Sequence, residues 1–337
     1  GNEIVETVES LREERDTLQA QVDRLKTSVA RTRKDNSLLM QQVNEGKELV
    51  AAVEQGRSDD KKAAAKVFLT DMIPVLESLE NGLKEISAEE RAANPKLNTL
   101  TVGVEKTFSQ LTAVFNKYGI DPKNPPAPDV PKPAATPAQP EDKTTPPAQS
   151  GDNTTPPQIF VKPEDTLESL KAERTALLAE VSSLTSTVAR AQGDNLTLTR
   201  RIEEGKQVLG REQALRENEK QFAVEKPLKD LMPVIDTLDA GLKLINDKAR
   251  KEDPNFETLA KTVEGTLKNI TTVFNKHGIT QNNPVNQPFD DERHEAVALV
   301  AVPGVAPGTV VQVASKGYEL NGRIVRNAKV AVTPDDM

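Results

Sequence analysis

The side chains that could carry chemistry are few, and their spacing does not suit it. The 337-residue chain has two histidines, His277 and His294, and no cysteine. The two histidines lack the close ligand spacing of a zinc site. The segment "PGVAPG" at 303–308 lacks the Lys-Ser/Thr that completes a phosphate-binding loop. No nucleophile has an independently supported base, so the sequence predicts a protein that is not an enzyme and holds no metal or other cofactor.

The composition indicates long helices that bury a narrow apolar strip. Aromatic residues make up 3% of the chain, tryptophan is absent, and charged residues reach 28%, which is too little bulky apolar material for large compact cores. The net charge of −8 disfavours nucleic acid, which is bound by basic faces. No apolar run is long enough to span a membrane. We expect no nucleic-acid or membrane partner, and a cytoplasmic location with the mitochondrial or plastid matrix as alternatives.

The chain contains one long sequence twice. Leu11 matches Leu170, and the same offset of 159 residues carries Pro74 onto Pro233. Residues 11–120 and 170–279 are therefore two copies of one unit, and the repeat is far too long for a solenoid. The sequence predicts a tandem duplication of a domain-sized unit.

Each copy carries a heptad pattern near its start. Apolar residues alternate in steps of four and three, with β-branched residues at a and mostly leucine at d, which favours a parallel two-stranded coiled coil. Asn36 and Asn195 both fall at a positions, so we expect them side by side. The predicted contacts are Val22, Leu25, Val29, Asn36 and Val43 in the first copy, and Val181, Leu184, Val188, Asn195 and Ile202 in the second.

The remaining segments complete a mainly α fold with a small all-β domain. Each copy reads as a long helix, which Pro74 or its counterpart bends unless packing compensates, followed by a loop and a shorter helix. Leu79 and Leu238 should meet where the helices form a four-helix bundle. After Gly278, alternating Val and Ala with "LNGR" as a hairpin turn predicts short antiparallel strands. The expected domains are a first helical unit at 1–120, a proline-rich disordered linker at 121–163, a second helical unit at 164–283 and a β-domain at 284–337. The linker could alternatively be a ligand for an SH3-type domain.

Several motifs of the second copy resemble the GrpE family. They are "DLMPVIDTLDAGL", "PFDDERHEAV" and "PGTVVQVASKGYELNGRIVRNAKVAV", in the family's own order. The resemblance covers residues 170–333, and residues 11–120 as a copy without the β-domain. It implies a long parallel coiled-coil stalk, a four-helix bundle and, here, a single C-terminal β-wing. GrpE proteins are nucleotide exchange factors of DnaK-type chaperones.

The resemblance also implies which residues contact the nucleotide-binding domain of the chaperone. Two positions depart from the family: Thr262 stands where "GVEKTF" of the first copy keeps the family's glycine, and Pro227 replaces an aromatic residue that the first copy keeps as Phe68. The implied contacts are Gly103, Arg211, His294, Ala314, Lys316, Gly317 and Val332.

The resemblance therefore predicts a co-chaperone that speeds ADP release from a DnaK-type chaperone. Because the chain holds two copies, we expect both halves of the usual dimer to come from one chain, with a two-chain homodimer as the second-ranked arrangement. The rival function is a coiled-coil scaffold that kept the architecture and lost exchange activity.

Overall fold

The computed structural model describes residues 6–127 and 165–335. Almost all of the predicted linker, and with it the SH3-ligand alternative, lies outside these residues. The described chain divides into two compact units. The stalk unit contains the described residues up to Ala51 and those from 165 to Arg211. The bundle unit begins at Ala52 and Glu212 and contains everything that follows each of them.

Each copy begins with a long helix and ends with a six-residue helix followed by one of 23 residues. Since Phe115 and Phe274 near the ends of the last helices are both buried, the two copies end their helical parts alike. The bounds are α1 (Val8–Lys84), α2 (Ala88–Ala93), α3 (Pro95–Lys117), α4 (Leu167–Gln221), α5 (Glu225–Lys243), α6 (Asp247–Glu252) and α7 (Pro254–Lys276).

In the stalk unit α1 and α4 lie side by side and run parallel. Arg12 Nε lies 2.7 Å from an Asp165 carboxylate oxygen, and Lys26 Nζ lies 2.7 Å from Glu180. The partners are separated by close to the repeat offset all along the helices, so the two copies pair in register. The predicted a and d residues are the less exposed ones on both helices, with Val22 of α1 fully buried.

The predicted contact between the two asparagines takes another form. Asn36 Nδ2 donates to the backbone carbonyl of Ala191 at 2.8 Å, and Asn36 Oδ1 is buried without a hydrogen-bond partner in the described chain. The small side chain of Ala191, at a d position, leaves its carbonyl within reach of the amide. Asn36 therefore bonds to the backbone of α4 instead of to Asn195.

In the bundle unit the last part of α1 packs with α3, α5 and α7 as a four-helix bundle. Leu79 and Leu238 are 0% and 1% exposed in its core, and Phe68 contacts Phe274 with ring centroids 5.8 Å apart. Both copies contribute to this one core. Other core residues without exposed surface are Leu69, Leu97, Phe115, Leu228, Leu231, Ile235 and Leu259.

Two of the helix prolines leave their helix continuous, and a third accompanies a helix break. Pro74 and Pro233 lie inside α1 and α5 on the exposed side, where water can bond the carbonyls that a proline leaves unpaired. The helix therefore continues past each of them. The second long helix nevertheless breaks between Gln221 and Glu225, contrary to the single long helix that we predicted. Pro227 explains the break, because a proline is tolerated in the first turn of a helix and not deeper inside it.

The predicted loop after each long helix contains a short helix. Ser87 Oγ accepts from the backbone N–H of Glu90 at 3.2 Å, and the Glu90 carboxylate accepts from the Ser87 N–H at 2.8 Å. This capping box starts α2. Asn94 and Asp253 then cap α3 and α7, each of which has a proline in its first turn.

Six strands follow α7, in two three-stranded sheets ordered β1-β4-β5 and β2-β6-β3. The predicted hairpin at "LNGR" is present: Leu320 pairs with Arg323, and Asn321 and Gly322 have φ of 47° and 81°, as a type I′ turn requires. The strands are β1 (Ile279–Asn282), β2 (His294–Leu299), β3 (Val310–Ser315), β4 (Gly317–Leu320), β5 (Arg323–Arg326) and β6 (Ala328–Val332).

The β structure is joined to the bundle more closely than the sequence suggested. Strand β1 lies ahead of the boundary predicted at 284, and it pairs with β4. Strand β2 pairs with β6 in parallel, whereas we predicted antiparallel strands. Tyr318 and Leu320 of β4 are fully buried in the core of the bundle. Removing the β-domain would therefore uncover part of the bundle core and destabilise the bundle.

Candidate functional site

Strand β2 exposes an apolar surface at the edge of its sheet. Val297, Leu299 and Val300 are 50%, 70% and 39% exposed, although they lie in or next to a strand. Sheet residues with one buried face normally alternate between apolar and polar. Contiguous exposed apolar side chains indicate a surface that binds another protein. The resemblance did not identify these residues, although the unbroken apolar run "AVALVAV" was a signal for them.

Ala314, Lys316 and Val332 lie in or next to the same sheet but differ in accessibility. Ala314 of β3 is exposed. Lys316 forms an ion pair with Asp239 of α5 at 3.1 Å. Val332 is 5% exposed and packs with Val310 in the small core of this sheet. Val332 therefore cannot offer its side chain to a partner, whereas Ala314 can.

Gly317 occupies a position that only glycine fits. A Cβ built on it would lie 2.8 Å from the backbone nitrogen of Ala328 and 3.0 Å from the carbonyl oxygen of Arg326. The side chain of Arg326 bonds the Lys316 carbonyl and pairs with both carboxylate oxygens of Asp236 at 2.7 and 2.8 Å. These contacts fix the chain between β3 and β4 on α5.

His294 is a buried structural residue at the start of β2. Its Nδ1 accepts from the backbone N–H of Asp290 at 3.0 Å, and its own backbone N–H donates to the Asp290 carbonyl at 2.8 Å. Its ring also lies 5.8 Å from that of Phe289. His294 therefore fixes the turn that leads into β2 and with it the placement of Val297 and Leu299.

Gly103 of α3 lies beside a small apolar cavity of about 310 Å³ that also borders Gly241 and Leu244. At the equivalent place across the bundle a threonine side chain occupies the space between the two helices, beside an open groove lined mainly by polar residues. There Thr262 stands opposite Gly82, and a Cβ on Gly82 would lie 2.9 Å from Thr262 Cβ and closer still to its Cγ2. The glycine-to-threonine difference between the copies therefore fills the space between the two helices at Gly82 and leaves it empty at Gly241.

Two matched ion-pair clusters hold the ends of α3 and α7. Asp71 contacts Lys276 Nζ at 3.0 Å and His277 Nε2 at 2.7 Å. Burial alone would raise the pKa of Asp71, but the hydrogen bonds from Lys276 and His277 outweigh burial and lower it below its usual value. This contact fixes the end of α7, from which the β-domain continues.

The other cluster is its counterpart in the repeat. Asp230 contacts Lys117 Nζ at 2.8 Å and Tyr118 Oη at 2.7 Å. Burial again opposes ionisation of Asp230, and the bonds from Lys117 and Tyr118 lower its pKa overall. The pKa of Tyr118 is raised by burial and by Asp230.

The last predicted contact, Arg211, is an exposed residue of α4. Within residues 6–127 and 165–335, no three His, Asp or Glu side chains are grouped as a metal site. None of the described helices has a stretch both long and apolar enough to cross a bilayer.

Comparison with known proteins gives the same family for both copies. The GrpE family profile matches residues 3–127 and 158–334. Protein GrpE of Alcanivorax borkumensis is 36% identical over 171 residues, which is 50% of this chain and 83% of that protein. Protein GrpE of Stenotrophomonas maltophilia is 38% identical over 156 residues, 46% of this chain and 85% of that protein. Protein GrpE of Xanthomonas euvesicatoria is 38% identical over 164 residues, 49% of this chain and 90% of that protein.

Parallel paired helices, a four-helix bundle and a small β-domain are the architecture of the nucleotide exchange factors that serve DnaK-type chaperones as co-chaperones. The chain belongs to the GrpE family, and two segments of it match the family profile in tandem.

Proposed function

We propose that one chain supplies both halves of the exchange factor and engages one chaperone through its single described β-domain. The observation that carries this proposal is the contact of the two copies with each other. They pair in register along the stalk unit, for example at Lys26 and Glu180, and build one bundle core that contains both Leu79 and Leu238. In a two-chain homodimer the same contacts would form between chains.

The surface of the sheet β2-β6-β3 is the proposed contact with the nucleotide-binding domain. Leu299, Val297 and Ala314 are its accessible side chains, and the removal of apolar side chains from water is the main favourable contribution to most protein–protein association. Lys316, Gly317, His294 and Val332 hold the strands in place behind them. Gly103 and Arg211 are proposed as further contacts from the helical part.

The proposed mechanism is differential binding. Such a factor binds the chaperone more tightly when the lobes around the nucleotide are open. Because coupling between two ligands is reciprocal, the bound factor weakens the binding of ADP by the same free energy by which ADP weakens the binding of the factor. Binding therefore shifts the population toward the open form, and ADP leaves faster. No residue of this chain needs to touch the nucleotide. We place this activity in the cytoplasm, with which the absence of cysteine is compatible.

The test is the rate of fluorescent-ADP release from a DnaK-type chaperone. The intact chain should accelerate release, and Leu299→Ser should reduce the acceleration about tenfold, which corresponds to about 1.4 kcal/mol of binding free energy. Leu196→Ser is the matched control, because Leu196 in α4 is also 70% exposed and lies outside the proposed surface.

Two results would count against the proposal. Equal losses for both variants would show that the sheet is not the contact surface. No acceleration by the intact chain, with its helicity verified by circular dichroism, would leave the coiled-coil scaffold as the function.

A further inference from the structure

A basic cleft opens in the bundle unit between α1, the end of α3 and the break that separates α4 from α5. It is a cavity of about 730 Å³, within the size range of about 300–1,000 Å³ that is usual for ligand sites. Its apolar part contains Tyr118, Phe222 and Pro227. Six lysines line it: Lys61, Lys62, Lys66, Lys117, Lys226 and Lys229.

The repeat explains why there is room here. In the second copy the β4–β5 turn packs on the helix break: Asn321 Nδ2 donates to the Gln221 carbonyl at 2.7 Å, and Arg323 forms an ion pair with Glu225. At the repeat offset of 159 residues, Lys62 corresponds to Gln221 and Lys66 to Glu225. The first copy brings no described strand to this place, so both lysines face the open cleft.

The charge of the cleft disfavours a β-domain from a second copy of the chain. The residue that receives Arg323 in the second copy is the acidic Glu225, whereas its counterpart in the cleft is Lys66. Arg323 of another copy would therefore meet a like charge, which disfavours association. At this repeat position the second copy presents a carboxylate to a cation, whereas the first copy presents an ammonium group to the cleft.

Half of the cleft lysines form no salt bridge of their own. Lys61, Lys117 and Lys229 form ion pairs with Glu219, Asp230 and Glu225. By contrast, Lys62, Lys66 and Lys226 form no salt bridge with any described residue. Three ammonium groups without a salt bridge around one cavity attract carboxylates. The ring of Tyr118, and the part of the Phe222 ring that the Arg323 guanidinium does not cover, offer apolar contact.

We propose that this cleft binds an acidic segment of a partner protein, with carboxylates on the unpaired lysines and an apolar side chain against the aromatic rings. The combination of charge and apolar lining favours a peptide over a small inorganic anion, which would use the lysines alone. The proposal is independent of nucleotide exchange, because none of the residues proposed to contact the chaperone lines the cleft.

The test uses fluorescence anisotropy with a fluorescein-labelled peptide of alternating Glu and Leu residues, in the absence of any chaperone. The intact chain should bind it, and binding should weaken with added salt because exposed charges are screened. The variant K62Q/K66Q/K226Q should weaken binding about tenfold or more, equal to about 1.4 kcal/mol. The variant K106Q/K251Q/K268Q loses the same charge at exposed lysines outside the cleft and should bind as the intact chain does.

Several outcomes would overturn the proposal. Equal weakening by the two triple variants would show general electrostatic attraction only. Equally tight binding of a peptide of alternating Gln and Leu would remove the role of the lysines, and equal competition by tripolyphosphate and the acidic peptide would indicate a small-anion site. Self-association of the intact chain that the cleft variant abolishes would identify a second copy as the occupant.

Discussion

At the scale of single residues, the two flanks of the bundle differ in what stands opposite a repeated glycine. Gly82 faces Thr262 in close contact. Its repeat counterpart Gly241 borders the cavity beside Gly103, and a methyl group placed on Gly241 would meet no atom within 4 Å. Packing therefore requires a glycine at position 82 but not at the repeat-related position 241.

This difference predicts opposite effects of the same substitution. Gly82→Ala should lower the free energy of unfolding by about 1–3 kcal/mol, since the new methyl group meets the Thr262 side chain in a packed place. Gly241→Ala should be neutral or stabilising by up to about 1 kcal/mol, since alanine favours the helix. Urea denaturation measures both.

Thr262→Gly provides the control for the clash. Combined with Gly82→Ala it should restore most of the lost stability, because the two side chains no longer compete for one space. If Gly82→Ala were as stable as Gly241→Ala, the contact with Thr262 would not be tight in solution.

The buried side of the stalk helices could be predicted from the sequence, although the hydrogen bond of Asn36 to the Ala191 carbonyl could not, and the exposure of the β-domain residues could not. The heptad period alone identified Val22 and Val29 as buried contacts. The resemblance gave Ala314, His294 and Val332 as one set, although only Ala314 is accessible. Exposure in a small sheet depends on which neighbour covers each face, and the sequence of a strand does not contain that information.

At the scale of elements, we expect the stalk unit to be less stable than the bundle unit. Its helices meet at a narrow apolar strip in which Gly46 and Gly205 hold matching d positions, and each glycine costs a helix about 1 kcal/mol relative to alanine. The bundle unit buries aromatic rings as well as leucines. The Pro227 break was visible in the sequence as a departure from Phe68, but the helical pattern around it continued, so only the structure placed the interruption.

Heating should therefore unfold the stalk unit before the bundle unit. The double variant G46A/G205A should raise the temperature of the first helical transition and leave the second unchanged, as followed by circular dichroism at increasing temperature. A single cooperative transition in both proteins would contradict the independence of the two units.

The ion-pair clusters at the ends of α3 and α7 predict an acid-sensitive bundle. Asp71 and Asp230 have pKa values below the usual 3.8 in the folded chain. Their stabilising contribution is therefore complete above pH 3.8 and is lost as the pH falls through their lowered pKa values. The variant D71N/D230N should be less stable than the intact chain at neutral pH, with a smaller loss of stability on acidification.

Urea midpoints measured across this acidic range test that prediction. Other carboxylates also titrate there, including Glu219, whose pKa the Arg57 hydrogen bond lowers to about 2. In D71N/D230N the change of the urea midpoint with pH should therefore be smaller than in the intact chain, but it should not vanish. An equal change in both proteins would show that the two aspartates do not contribute to acid unfolding.

At the scale of the whole molecule, comparison of the two copies predicted the bundle and the parallel pairing of the helices. It could not predict the basic cleft. The repeat aligns Lys66 with Glu225 in the sequence. Only the structure shows that, where a β-domain is present, this position forms an ion pair with Arg323. What the cleft can bind depends on the β-domain contact that its counterpart in the second copy makes.

Self-pairing predicts a monomer in solution. Light scattering at low micromolar concentration should give the mass of one chain, 36.7 kDa. Cysteines introduced by N36C and N195C should cross-link within single chains, because the helices pair in register at this level. Cross-links only between chains would refute the intrachain pairing, and their absence would refute the register.

The threonine opposite Gly82 has a consequence for how such a molecule diverges. In a homodimer every substitution is made twice, so a change that suits one side of the two-fold axis is imposed on the other. Here Thr262 packs against Gly82 on one flank, whereas its repeat counterpart Gly103 borders a cavity on the other. A symmetric dimer that meets a single partner must break its symmetry on binding, whereas this chain encodes the asymmetry in its sequence, and each side is free to specialise.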